Sequence, residues 1–320
     1  MKIPTMNKMI KVYVEAASIE RLKCGRPTER TVKNTEAGYR IFRHWLNERR
    51  VSLGYERIGM DEDFPLVSII KPTLIHKYLA DLLKSEIKPV TAMSYLHQLQ
   101  QLFARWVHPY YEDHGWKIPE FPSLGGRPSA PRYNRPSPEK LKKVKDWYHT
   151  LPSDDSVKFL GRRNLVPSSQ LWFATTMMLE FAMRNGDILR LSPDNFIERE
   201  GRVYLNYTPN KTRHSSGRLV KWPVHPDIWH RIKSLMDEQG TLPVLDEEIF
   251  DALNRQMRTL GFTGTKGAYE LRKICIDHVY QRFGAEMATS ISGDNIRTIL
   301  YYYADPAQPN IGDIRVSDLI

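Results

Sequence analysis

The pattern of apolar residues predicts a mainly α-helical chain with a small antiparallel β-sheet, divided into two domains. Three observations carry this reading. Apolar residues recur at helical intervals through the first third of the chain. Residues 117–138 hold six prolines and a Gly-Gly pair, which no regular helix or central strand accommodates. Two short runs in the second half read as strands: Arg202–Tyr207, which alternates Val203, Leu205 and Tyr207 with polar residues, and Arg218–Val224, which holds Leu219, Val220, Trp222 and Val224.

Taken in order, the first predicted helix spans Thr31–Arg50, with Val32, Tyr39, Phe42 and Leu46 on one face and basic residues between them. The second starts near Pro72 and carries Leu74, Ile75, Tyr78, Leu79 and Leu82. The third starts near Pro89 and carries Met93, Leu96, Leu99, Phe103 and Trp106. Proline suits a first helical turn because its missing N–H has no intrahelical partner there. These stripes read as core. The proline-rich stretch reads as a linker, with Arg127, Arg132 and Arg135 along it as candidate contacts to a DNA backbone. Ser137-Pro138-Glu139 then supplies a cap, a first-position proline and a first-turn acid for a new helix. Helices are expected at 168–183 and 226–238. The strand runs lie between these two, joined by the polar, Gly-terminated connector TPNKTRHSSG as a long-looped hairpin. Helices resume after residue 266. The boundaries that follow are 1–116, 117–136 and 137–320.

Composition narrows the function. The 320 residues carry 47 Lys and Arg against 37 Asp and Glu, a net charge of +10, so a polyanion such as nucleic acid is the default partner. The two cysteines, Cys24 and Cys275, form neither a disulfide scaffold nor a zinc ribbon and suit a reducing cytoplasm. The ten histidines show no metal-ligand spacing. No apolar run reaches membrane-spanning length, and the N-terminus lacks the separate apolar region of a signal peptide.

Four stretches then carry chemistry. In MMLEFAMRNGDILRLSPDNF an apolar helix ends at Arg184, with Asp187, Leu189, Leu191 and Asp194 following. Lys211 stands in the hairpin loop, with Arg213 beside it as a further DNA-contact candidate. AYELRKICIDHVYQRFG places Tyr269 three residues before Arg272 and leads an apolar pattern to Gly284. SGDNIRTILYYYADP places Tyr303 nine residues beyond Asp294. Any one of these alone reads as a solvated surface arginine, lysine or capping acid. In order, over most of residues 170–306, they resemble the boxes of the tyrosine recombinases, the phage-type integrase family.

The resemblance implies a helical core-binding domain, SAM-like, followed by a tyrosine-recombinase catalytic domain. It implies site-specific cleavage and rejoining of double-stranded DNA at recombination sites, through a 3′-phosphotyrosyl intermediate and without metal or nucleotide cofactor. Arg184 and Arg272 fall on the two phosphate-binding arginines, whose planar forks can grip nonbridging oxygens. Asp187 falls on the supporting acid, Lys211 on the general acid for the leaving 5′-oxygen, and Tyr303 on the nucleophile. Tyr301, Tyr302 and Tyr303 point about 100° apart on a helix, so only one can face the arginines. Spacing selects Tyr303; a one-residue gap would select Tyr302.

Two positions depart from the family pattern. Tyr269 stands where the family has His; a phenol can donate to a phosphoryl oxygen but is a poor base near neutrality. Asp294 stands at the His/Trp position, where an ionised carboxylate would repel a phosphate. Either Asn295 takes over the donor role, or Asp294 is structural. The second reading is preferred, with Asp294 as N-cap of the tyrosine-bearing helix.

The resemblance further implies a dimer or tetramer on DNA, a cytoplasmic protein, and a directionality factor as a possible additional partner. The tail holding Val316, Leu319 and Ile320 reads two ways, as a segment that docks on a neighbouring protomer or as a frayed terminus. The departures keep two alternatives open: a recombinase-derived DNA-binding protein with weak or no cleavage, and a relaxer resembling type IB topoisomerases.

Overall fold

The computed structural model describes residues 6–24, 29–59, 71–85, 87, 89–103, 132–152, 154–210, 217–264 and 266–304. Trp106, Arg127, Lys211, Arg213, the Cys24 side chain and the C-terminal tail lie outside them. The chain forms two compact units, residues 1–130 and 131–320.

In the first unit the described elements are α1 (Met6–Cys24), α2 (Glu29–Ser52), α3 (Pro72–Lys84) and α4 (Pro89–Leu102). The predicted stripes meet in one core. Phe42, Ile75, Tyr78, Leu96 and Leu99 are fully buried, and the Tyr78 ring lies 4.8 Å from Phe42 and 5.0 Å from Trp45. Helix α1 was not among the predicted helices. Its charged residues fall on every side, so only its packing against α2, through Ile10, Tyr13 and Ala17, reveals an inner face.

The second unit contains α5 (Pro138–Thr150), the short hairpin β1 (Lys158–Leu160) and β2 (Leu165–Pro167), and α6 (Ser168–Leu179). These are followed by α7 (Asn185–Ile188), β3 (Phe196–Arg199), β4 (Arg202–Tyr207) and β5 (Val220–Val224). The unit closes with α8 (Pro226–Ser234), α9 (Glu248–Thr259), α10 (Gly267–Ser292) and α11 (Ile296–Tyr303). The capping signal at α5 is realised: the Ser137 hydroxyl accepts from the Lys140 N–H. The expected hairpin is part of a three-stranded antiparallel sheet, β3-β4-β5. Its first turn places Glu200 and Gly201 at φ 51° and 70°, the mirror-image conformation that two-residue hairpins favour. Val203, Leu205 and Tyr207 point inward along β4.

Helix α6 is buried almost all round, with Trp172, Phe173, Met177 and Met178 excluded from solvent, and it packs against α9 and α10. A helix without a polar face belongs at the centre of a domain. Helix α9, absent from the predicted elements, carries a plain stripe of Ile249, Phe250, Leu253 and Met257. The pattern of α10 runs to Gly284 as expected, but the chain does not leave the helix there. It kinks through φ 84° and ψ 179°, a conformation open essentially to glycine alone, and resumes to Ser292. No described helix is long and apolar enough to cross a membrane.

Candidate active site

The end of α6 is shaped to deliver an arginine. Ala182, fully buried, takes a left-handed φ of 50°, and the Met183 N–H closes back on the Met177 carbonyl at 3.0 Å. A left-handed alanine costs roughly 1–2 kcal/mol, which the packed core around it sustains. The reversal sets Arg184 in extended backbone at the N-cap of α7, with the Asp187 N–H donating to its carbonyl at 2.9 Å. The Asp187 side chain lies 3.8 Å from Arg184 Nη1. Its Oδ1 accepts from the Asn210 N–H at 2.9 Å. Asp187 thus holds both the arginine and the residue preceding Lys211.

Arg272 comes from α10 and is wholly buried. Its Nη2 donates to Asp294 Oδ2 at 2.6 Å and to the Ser292 carbonyl at 3.2 Å. The other carboxylate oxygen, Asp294 Oδ1, accepts from Arg184 Nη2. One carboxylate therefore bridges the two arginines. Burial alone would weaken Arg272's hold on its proton; Asp294, then Tyr269 and Tyr207, more than offset this and raise its pKa. Arg272 is a permanent cation.

The Asp294 N-cap expectation is corrected here. Asn295 caps α11, its side chain accepting from the Arg297 N–H at 2.8 Å. Asp294 instead turns inward, because two guanidiniums at a buried point require a counter-charge more than one helix end requires an acceptor. Its own N–H is held by the Ser292 hydroxyl at 3.1 Å. Gly293 makes the turn possible. Its φ is 63°, and a Cβ there would lie 2.8 Å from Pro209 Cγ and 3.2 Å from Val220 Cγ2.

Of the three tyrosines, Tyr303 is buried, Tyr302 half-buried and Tyr301 exposed. Burial pushes the Tyr303 phenol well above its ordinary range; Arg272 opposes this, while Tyr269, Asp294 and Asp277 add to it. Tyr269 lies against the site, with the Arg272 guanidinium carbon 5.9 Å from its ring centroid. The structure thus brings together Arg184, Asp187, Tyr269, Arg272, Asp294 and Tyr303, from three separate stretches of sequence.

Tyr207, at the end of β4, was read only as a strand position. Among the described residues its buried hydroxyl has no hydrogen-bond partner; burial pushes its ionisation upward, and Arg272, Asp187, Arg184 and Asp294 all influence it. The signal was its place on the inward face of β4, four residues before Lys211. Arg272 Nε and Nη1 and Arg184 Nη1 are likewise buried without a hydrogen-bond partner among the described residues. Buried donors are rarely left so in native proteins. Arg132 and Arg135 lie in the segment just before α5. They bond to the end of α11, and Arg135 also bonds to Asp277.

The fold is that of the tyrosine recombinases. It superimposes on the XerH site-specific recombinase in its pre-cleavage complex with difH at a TM-score of 0.60, with 13% identity over 86% of this chain and 76% of that one. A lambda integrase fragment, a dimer bound to a COC′ core site, matches at a TM-score of 0.62, with 14% identity over 98% of this chain and all of the other. The Tn1549 transposon integrase in complex with circular intermediate DNA matches at 0.57, with 10% identity over 93% and 95%. No protein-family model and no curated protein matches the chain.

Proposed function

We propose that this protein is a site-specific DNA recombinase that cleaves and rejoins strands through a 3′-phosphotyrosyl intermediate. The observation that carries the reading is the convergence of Arg184 and Arg272 on one anionic group beside a buried tyrosine. In the proposed reaction the Tyr303 oxygen attacks the scissile phosphorus and releases its proton to solvent water. The bond to the 5′-oxygen breaks, and Lys211 protonates the departing alkoxide. Arg184 and Arg272 stabilise charge on the nonbridging oxygens, and Tyr269 and Tyr207 add phenolic donors. Asp187 orients Arg184 and anchors the start of the Lys211 loop. The phosphotyrosine retains the ester's bond energy, so a second 5′-hydroxyl can reverse the step and exchange strands. The matched structures are DNA complexes, which with the net charge of +10 supports duplex DNA as substrate. A dimer or tetramer on DNA in the cytoplasm, with a directionality factor, completes the reading.

The bridging Asp294 carboxylate favours a second reading, a recombinase-derived DNA-binding protein in which an internal anion keeps the arginines from phosphate. Nicked suicide duplexes built from DNA flanking the encoding gene separate the two. A covalent protein–DNA adduct that disappears in Tyr303→Phe and persists in Tyr302→Phe supports cleavage. Binding with no adduct from any nicked substrate supports the second reading.

A further inference from the structure

We infer that Arg135 is a positioning residue for Tyr303, acting through a strap of residues 132–136 that closes the C-terminal end of α11. The inference rests on the reading of Tyr303 as nucleophile. It starts from the weakness of α11, which has eight residues. An isolated helix of that length is unstable in water, and its last carbonyls lack intrahelical donors.

Three consecutive carbonyls at that end receive donors from the strap. Tyr302 O accepts from the Tyr133 N–H at 3.1 Å, Tyr303 O from Arg135 Nη2 at 3.0 Å, and Ala304 O from Arg132 Nη1 at 3.3 Å. Two of the three donors are guanidiniums, whose positive charge suits the negative end of a helix. The same strap packs the nucleophile's ring: Tyr133 and Tyr303 lie with centroids 5.4 Å apart at 59°. Arg135 is itself held, its Nε donating to both Asp277 oxygens at 3.0 and 3.2 Å. Asp277 lies on α10, the helix that supplies Arg272. Arg135 therefore joins the backbone carbonyl of Tyr303 to the helix that bears one of the phosphate-binding arginines. It sets the distance between nucleophile and electrophile from behind, without touching DNA.

This use of Arg135 differs from a phosphate contact, which its place in a basic linker had suggested.

The test compares wild type, Arg135→Gln, Arg135→Lys and Asp277→Asn as full-length proteins on the nicked suicide duplex. Duplex affinity, single-turnover adduct formation at saturating protein, and amide hydrogen exchange over residues 299–304 are measured for each. Arg135→Gln is expected to slow adduct formation about 10- to 100-fold, the scale set by misplacing a reacting group by roughly an ångström. Affinity should change by less than about twofold, because no phosphate contact is lost. Exchange over 299–304 should quicken about tenfold or more, the factor for one lost charge-assisted hydrogen bond. Arg135→Lys keeps the charge but not the fork, so it should recover at most part of the rate, and Asp277→Asn should shift rate and exchange in the same direction.

A phosphate-contacting Arg135 predicts the reverse. Affinity would fall, the salt slope would drop by about one, and the saturated rate would not move; that result overturns the inference. If wild type forms no adduct at all, the cleavage reading fails and exchange decides the strap alone. Unchanged protection in both Arg135→Gln and Asp277→Asn then rejects it.

Discussion

Replacing Asp294 by alanine removes the one carboxylate shared by Arg184 and Arg272. Arg272 is fully buried, and its Nη2 would keep only the Ser292 carbonyl at 3.2 Å. Breaking a buried pair by deleting one partner costs about 3–5 kcal/mol, because the other charge is left uncompensated. For a unit of this size each kcal/mol moves the midpoint by roughly 2–4 °C, so the variant should unfold about 6–20 °C below wild type. The same geometry predicts the remedy. With the carboxylate gone, inorganic phosphate should enter between the guanidiniums, and at a hundred times its Kd it would restore about 2.7 kcal/mol. In wild type Asp294 already occupies those N–H groups, so phosphate should stabilise it much less. Thermal unfolding of both proteins across a phosphate series, with ionic strength held constant by chloride, reads both effects. Equal phosphate shifts in the two proteins, or an undiminished midpoint in the variant, would refute the view of Asp294 as an internal stand-in for phosphate.

Further outcomes follow from neighbouring features. Gly293→Ala should destabilise by about 1–3 kcal/mol, the range for a residue forced into a sparsely populated conformation, since its Cβ would also press on Pro209; urea unfolding measures it. Glu180 is pushed above its ordinary carboxylate value of 4.5 by burial, with His149, His225 and His278 opposing. A raised folded-state pKa means stability present below the ordinary value and lost as pH rises through the folded one. Glu180→Gln should therefore match wild type in acid and exceed it near neutrality, by denaturant midpoints at the two pH values. Tyr207→Phe should leave stability near wild type, since its hydroxyl has no partner to lose among the described residues, yet slow single-turnover cleavage if that hydroxyl meets the phosphate.

Some of this architecture is legible residue by residue. The stripes of α2, α3 and α4, the Ser137-Pro138 start of α5 and the β4 alternation follow from local spacing, because burial of one face imposes a period of 3.6 or 2. Other elements were legible in part. The α9 stripe was present but unread, and β3 is a four-residue strand whose pairing partner, not its own composition, makes it one. The kink at Gly284 sits where the sequence ends its apolar pattern, yet helix resumes beyond it because Ala288 and Ile291 find a core shared with Tyr303.

The sequence by itself determined the class of fold, the positive charge, and the order of Arg184, Lys211, Arg272 and Tyr303 along the chain. These depend on residue type and interval, which a single chain displays without folding. It left Asp294 a choice between two local roles and left Arg132 and Arg135 on a linker facing DNA. Only the tertiary structure decided that Asp294 faces inward between two arginines and that the strap ends on the carbonyls of α11. The Arg184–Asp294 and Arg135–Tyr303 pairings each span more than a hundred residues. Their partners are chosen by where charge is buried, and the folded chain alone sets that.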